Sequence, residues 1–447
     1  MADGLAILHR FAGCGQLARW GWRMDADGDG GDAGSSRGNA SRRALIIGGS
    51  MAGLFSALLL HRRGWEVALY ERSPVPLTGR GAGIMTHPEL QRAIVAVGLD
   101  AEQGFGVPIA ERVVLNGAGI VVARRPRPQI STSWNRLFEL LGGAFDAALG
   151  PDTYRLGKDL VRVEQNNGGV VAHFSDGTTA MGDLLVGADG LRSAVRGQYL
   201  PKLRPSYAGY VGWRGLLDER TAAAALGEEL FGQFSFALPP GEQFLGYPVA
   251  GPGNDLREGH RSWNIVWYRP ADEATELPRL LTDAAGHTHE LSIPPPLIDP
   301  AVVAEMRAAA DRLLPPPFRA AVARIEQPFL QPIYDVESPS LAFGRVALVG
   351  DAAFVVRPHV GAGIVKAAED AAALAECLHA APTLAAGLAG YEEQRIVAGR
   401  QFVARTRRLG CYLKYQFASE EERARAAVHA APERVLAETA SLEFLRQ

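Results

Sequence analysis

Glycines and acids that follow short apolar runs are the residues of this chain best suited to chemistry. Gly48, Ser50, Met51 and Gly53 belong to Gly48-Gly49-Ser50-Met51-Ala52-Gly53, which follows the apolar run Ala44-Leu45-Ile46-Ile47. The same motif opens an apolar helical stretch from Met51 to Arg63, with Gly64 placed to stop it. A strand, a glycine turn and a helix N-terminus in that order present backbone N–H groups to a diphosphate. The next apolar run, Val67 to Tyr70, ends in Glu71 and Arg72. In a βαβ unit an acid about 20 residues beyond the first glycine reaches a ribose hydroxyl. Ser50 stands where the middle glycine of such a fingerprint belongs, and a side chain there crowds a closely bound diphosphate, so this motif alone is only suggestive.

Two later segments have the same form. Leu184-Leu185-Val186-Gly187-Ala188-Asp189-Gly190 is a buried-strand pattern ending in an acid, and Arg192, Ser193 and Arg196 then begin a helix. Val346-Ala347-Leu348-Val349 runs into Gly350-Asp351-Ala352-Ala353, followed by Arg357-Pro358-His359-Val360-Gly361-Ala362-Gly363 and an Ala-rich helix. Asp189 and Asp351, each at a strand end, are suited to holding a ribitol hydroxyl.

On these three segments, which span Ala44 to Asp370, the chain resembles the aromatic-ring hydroxylases, the single-component FAD monooxygenases that include para-hydroxybenzoate and salicylate hydroxylases. Gly-Gly-Ser in the first motif and Arg-Pro-His after the third are similar to the 2,6-dihydroxypyridine 3-hydroxylase branch. So are Tyr207 to Gly215, Gln331 to Asp335 and Pro315-Pro316-Pro317-Phe318. Two positions depart from the broader family: its histidine after Gly-Asp-Ala-Ala is Phe354 here, and its asparagine beyond the last glycine is Val365.

The resemblance implies an α/β fold, α+β overall, with a Rossmann-like FAD-binding domain, an interleaved antiparallel-sheet substrate domain and C-terminal helices. It implies FAD as cofactor, NADH or NADPH as transient electron donor, and O₂ and a small aromatic molecule as substrates. Flavin reduced by NAD(P)H would form a C4a-hydroperoxide that oxygenates an electron-rich ring. The helix beginning near Gly361-Ala362-Gly363 suits the negative charge of reduced flavin, because its first N–H groups are free to face it. By the same resemblance Arg80 and Gly81 lie beside the isoalloxazine ring, Arg136 near the FAD phosphates, and the Pro358 carbonyl near the substrate hydroxyl. His359 could take that hydroxyl's proton, its ordinary pKa lying near neutrality; hydrogen bonding within a tight loop is the equal alternative. Tyr210 is a further candidate for catalysis, and Tyr210, Trp213, Tyr247 and His359 for substrate contact, although any single aromatic is more simply core.

Composition fits this reading. A chain of 447 residues with 47% hydrophobic content can bury large cores in two or three domains, and a net charge of -3 gives no electrostatic case for nucleic acid. Cys14, Cys377 and Cys411 are too few and scattered for a disulfide framework or a zinc site, which points to the cytoplasm. His287 and His289 are the one close histidine pair, and a solvated loop explains them better than metal. No apolar stretch is long enough to span a bilayer, so no stable membrane association is expected.

The elements that must position these residues divide the chain. Residues 1–41, rich in Gly, Asp, Ser and Ala toward their end, are expected to be a disordered leader. Residues 42–200 and 336–382 would form the two parts of the FAD-binding domain, 201–335 mainly the substrate domain, and 383–447 a helical region packing on the flavin domain or on a homodimer mate. Pro239-Pro240-Gly241-Glu242 marks a hairpin, and period-2 reading puts Tyr207 and Trp213 on one face of a strand with Tyr210 and Arg214 on the other. Two other readings stand beside the hydroxylase: a same-fold flavoprotein that oxidises or epoxidises a natural product, and a non-catalytic flavin sensor. A plain NAD-dependent dehydrogenase would not need the Asp189 and Asp351 motifs.

Overall fold

A computed structural model describes residues 42–78, 83–100 and 105–446. The expected leader and the candidates Arg80 and Gly81 lie outside the described residues.

The apolar runs read from the sequence become neighbouring strands of one six-stranded sheet, ordered Ala342–Phe343, Val346–Leu348, Leu184–Gly187, Arg43–Ile47, Glu66–Tyr70 and Tyr154–Arg155. All pairings are parallel except at the Ala342–Phe343 edge. Strands covered on both faces need apolar residues at every position, which is why they read as unbroken runs and not as alternation. The register brings Ile47 beside Gly187 and Gly187 beside Leu348. The glycine and aspartate motifs that follow these residues therefore leave the sheet at the same carboxyl edge, where open α/β sheets bind ligands. The Met51–Arg62 and Gly363–Ala380 helices share the core of this sheet.

A second, nine-stranded sheet runs in the order Phe354–Val355, Phe329–Glu337, Ser206–Asp218, Ser262–Pro270, Gln243–Val249, Phe234–Ala237, Val107–Leu115, Val121–Ser133 and Gly83–Met85. The hairpin at Pro239 to Glu242 joins two of these strands, with the Glu242 N–H on the Pro239 carbonyl at 2.9 Å. Three strands come from residues 83–133, so the expected assignment of all of 42–200 to the flavin domain is corrected: that stretch completes the second sheet through pairing that no local pattern announces.

The two faces of this sheet have different partners. Trp213, Trp263, Ile265 and Trp267 pack with Phe318 and with Met306, on the helices Pro316–Ala323 and Pro300–Leu313. Tyr210, Tyr247, Val266, Tyr268, Phe234 and Phe236 line the other face, which the C-terminal segment covers with Tyr412, Leu413, Val435, Leu436 and Ala440. The Leu384–Leu409 helix and the segment after it carry Arg400, Arg405, Arg407, Arg408 and Lys414, and most of these cations are paired within the chain. Arg400 and Arg407 pair with Glu337, Arg405 with Glu438, and Lys414 with Glu422. Among the described residues no helix is long and apolar enough to cross a membrane, and no His, Cys, Asp and Glu cluster could hold a metal ion.

Candidate active site

The first motif is built around glycines that nothing else could replace. Gly48 has φ +107°, and a Cβ on it would lie 2.4 Å from the Ala188 carbonyl oxygen of the neighbouring motif. A Cβ on Gly53 would lie within bonding range of the Gly48 carbonyl, so turn and helix touch backbone to backbone. Ser50 is the N-cap residue of the Met51–Arg62 helix but makes no capping bond with its side chain, which leaves the first N–H groups of the helix for a ligand. Glu71 is buried at the end of its strand, and its two oxygens accept from the Gly49 N–H at 2.9 Å and the Ser73 N–H at 2.8 Å. It braces the glycine turn while keeping the lone pairs a ribose would need. Arg72 beside it is exposed.

The two aspartates differ. Asp189 accepts from the Ser193 hydroxyl at 2.5 Å and the Val195 N–H at 3.1 Å, capping the Ala194–Tyr199 helix, and desolvation raises its pKa. Each of its oxygens accepts one bond in that cap, which leaves further lone pairs as on Glu71. Asp351 reaches solvent, yet protein surrounds it on most sides and desolvation raises its pKa as well. Its carboxylate makes no hydrogen bond among the described residues. Arg196 ties the two motifs together by donating to the carbonyls of Gly190 at 3.4 Å, Asp351 at 3.3 Å and Ala352 at 3.1 Å.

Beneath the third motif lies a buried ionic cluster that the sequence analysis missed. Asp370 accepts from the Gly350 N–H at 2.9 Å, Lys366 at 3.3 Å and Arg395 at 2.8 Å, and Lys366 also donates to the Gly350 carbonyl at 2.7 Å. Arg395 reaches Glu369 at 3.2 Å. The only signal in the sequence was a lysine and an aspartate four apart in an Ala-rich helix. The Gly363–Ala380 helix has no side-chain cap at its start, and Gly363 faces open space. Gly361 takes φ +63° to turn the chain into it, and Ala362 before Gly363 is buried. Two uncapped helix N-termini, an acid at a strand end and an accessible Asp351 on one sheet edge fit the diphosphate, ribose and ribitol of FAD. Arg136 is half-buried in the first turn of the Trp134–Leu149 helix, whose Ser133 cap accepts from its N–H.

Pro358, His359 and Val360 form a short 3-10 turn between that edge and the second sheet. His359 is buried, with Nε2 hydrogen-bonded to the Tyr210 hydroxyl at 2.6 Å and the Tyr268 ring edge-on at 5.0 Å. Burial, reinforced by the Arg357 charge, lowers its pKa to about 3, so the ring is neutral at physiological pH. Arg357 pairs with Asp335 at 2.8 Å, and Asp335 also takes Arg407 at 3.0 Å. Tyr210 is fully buried and desolvation raises its pKa. Tyr210 is sealed from solvent and His359 nearly so. His87 supports the turn from below by donating from Nε2 to the Val360 carbonyl at 2.9 Å.

Of the expected substrate contacts, Tyr210, Tyr247 and His359 share one side. Trp213 does not: it lies on the opposite face of the sheet against helices, because adjacent residues of a strand alternate and Trp213 is an odd number of positions from Tyr210. Its assignment to the pocket is therefore corrected. The face instead offers two groups that the sequence analysis did not single out. Arg214 is half-buried with no ion-pair partner among the described residues. Asn264 is fully buried, spends Oδ1 on the Gly83 N–H at 2.9 Å, and leaves Nδ2 without a partner among the described residues.

Comparison with known proteins agrees with this geometry. The FAD binding domain-like family model matches residues 207–335, and the FAD binding domain model residues 335–406. The chain is 32% identical to 2,6-dihydroxypyridine 3-monooxygenase of Paenarthrobacter nicotinovorans, over 83% of this chain and 92% of that protein. It is 31% identical to 3-amino-4-hydroxybenzoate 2-monooxygenase of Streptomyces cremeus, over 82% and 86%. The solved structure of 2,6-dihydroxypyridine-3-hydroxylase from Arthrobacter nicotinovorans superposes with TM-score 0.78 at 31% identity, covering 85% of this chain and 94% of that one. The glycine turn, the two aspartate motifs and the paired sheets thus belong to an enzyme, and the chain is a member of the FAD-binding monooxygenase family.

Proposed function

We propose that the protein uses NADH or NADPH and O₂ to hydroxylate an aromatic or N-heteroaromatic ring that carries hydroxyl groups, a dihydroxypyridine-like ring being the best-supported class. The observation that carries this reading is the likeness to 2,6-dihydroxypyridine 3-monooxygenase along nearly the whole of that protein. Bound at the sheet edge, FAD reduced by NAD(P)H would supply the O₂ chemistry, one oxygen atom going to an electron-rich ring carbon and the other to water.

The chain's own residues prepare the ring. Arg214, a cation with no ion-pair partner among the described residues, would favour the ionised form of a ring hydroxyl, and ionisation raises electron density on the ring. Asn264 Nδ2 and the Tyr247 ring complete a polar and flat wall on the same face. The Pro358 carbonyl would accept from a second hydroxyl. The neutral His359 holds the Tyr210 hydroxyl in place. The free N–H groups at the start of the Gly363–Ala380 helix would stabilise negative charge on the reduced cofactor.

The test is NAD(P)H oxidation by the FAD-loaded protein with and without 2,6-dihydroxypyridine, with the product weighed by mass spectrometry. Strong stimulation and a product heavier by one oxygen are expected. Bound flavin without stimulation by any hydroxylated phenol or pyridine would overturn the proposal.

A further inference from the structure

Arg112 is an unusual residue for the middle of a sheet: it is fully buried, yet no carboxylate lies within ion-pair distance among the described residues. A buried guanidinium normally has an anionic partner, because desolvating a charge is costly. Here the donors go instead to the backbone of the C-terminal segment. Nη1 donates to the carbonyls of Leu436 at 2.9 Å and Thr439 at 2.6 Å, and Nη2 to the Ala440 carbonyl at 3.2 Å and to the Gln129 side chain. The guanidinium also lies over the Phe234 ring at 5.2 Å.

Ala440 is where this clamp reaches the site. Its φ of +46° is a left-handed conformation that a residue with a Cβ adopts only under constraint. The constraint is visible on both sides of the residue. Its carbonyl is held by Arg112 and by Gln129 Nε2 at 3.1 Å, while its N–H donates to the His359 carbonyl at 2.8 Å. Arg127 from the adjacent strand adds a bond to Ser441 at 2.8 Å and an ion pair to Glu443 at 3.0 Å.

We propose that Arg112 is a positioning residue: by clamping residues 436–440 it fixes Ala440 in its left-handed turn, and through the Ala440–His359 bond it sets the Pro358–Gly363 turn. The C-terminal segment is then a working part of the site and not an appendage to it. This rests on the functional reading only in that the turn is the one assigned to the ring hydroxyl.

The test compares hydrogen exchange in the full-length, FAD-loaded protein and in Arg112→Met, which keeps the apolar stem and removes the donors. Loss of several charge-assisted bonds should speed exchange roughly tenfold or more in 436–441. The proposal requires the same direction of change in 358–363, across a sequence gap of more than 70 residues, with the six-stranded sheet unaffected. Faster exchange in 436–441 with 358–363 unchanged would overturn it. Should Arg112→Met fail to fold, Arg112→Lys keeps the charge with a single donor group; it should show the same paired change in smaller degree, and an unpaired change there would overturn the proposal equally. The ratio of hydroxylated product to nicotinamide oxidised should fall in parallel. If the wild-type protein hydroxylates nothing, the functional reading fails and the exchange result still decides this one.

Discussion

Two buried histidines grip the Pro358–Gly361 turn, and their titration should control acid stability. Burial lowers His359 to about 3 and His87 to about 4, against 6.5 for each in an unfolded chain. Below pH 6.5 the unfolded chain takes up protons that the folded protein refuses. Each histidine's contribution is therefore complete above pH 6.5 and is lost as pH falls toward its folded value. One proton per histidine gives a slope of about 1.4 kcal/mol per pH unit, or about 2.7 kcal/mol for the pair while both are in their windows. Between pH 6.5 and 4.5 this approaches 5 kcal/mol, a large share of the ~5–15 kcal/mol by which domains are stable. Raised carboxylates such as Asp189, Asp351 and Glu369 act with the opposite sign, so the wild-type curve alone is ambiguous. The informative quantity is the difference from His359→Gln, which keeps an amide near Tyr210 and does not titrate. Urea unfolding followed at pH 7.5, 6.5, 5.5 and 4.5 should show the variant losing stability less steeply by about 1.4 kcal/mol per unit below pH 6.5. Parallel curves for the two proteins would show that His359 titrates normally, and the buried neutral pair described above would be wrong.

Gly410 permits the Tyr210–His359 bond, since a Cβ there would lie 2.5 Å from His359 Nε2 and about as close to the Tyr210 hydroxyl. Gly410→Ala should cost about 1–3 kcal/mol of overpacking, read by urea unfolding at pH 7.5. Asp370→Asn leaves Lys366 and Arg395 buried with one weaker acceptor between them, and should destabilise by about 3–5 kcal/mol in urea unfolding while weakening retention of FAD on gel filtration. An unchanged midpoint would mean that the cluster is not what braces the third motif.

Much of the flavin edge was legible before any coordinates. Strands buried on both faces must be apolar throughout, and a turn that meets a neighbouring backbone must be glycine, so Ala44 to Gly53, Leu184 to Gly190 and Val346 to Asp351 announce themselves locally. The Pro239 to Glu242 hairpin did so for the same reason, its turn residues being dictated by backbone geometry. What the sequence alone could not tell was which of the two acids also braces the protein. Asp189 and Asp351 read alike, and only the contact of Asp189 with Ser193 and Val195 separates them. Alternation already put Trp213 and Tyr210 on opposite faces, but it is silent on which face meets helices and which meets the active-site turn; the packing of Phe318 and Tyr412 decided that. The same holds for the strands between residues 83 and 133, for Asp370 with Arg395, and for Arg112 with Ala440. Each depends on a partner far along the chain, and a local pattern fixes the conformation of a segment without fixing what the rest of the fold lays against it.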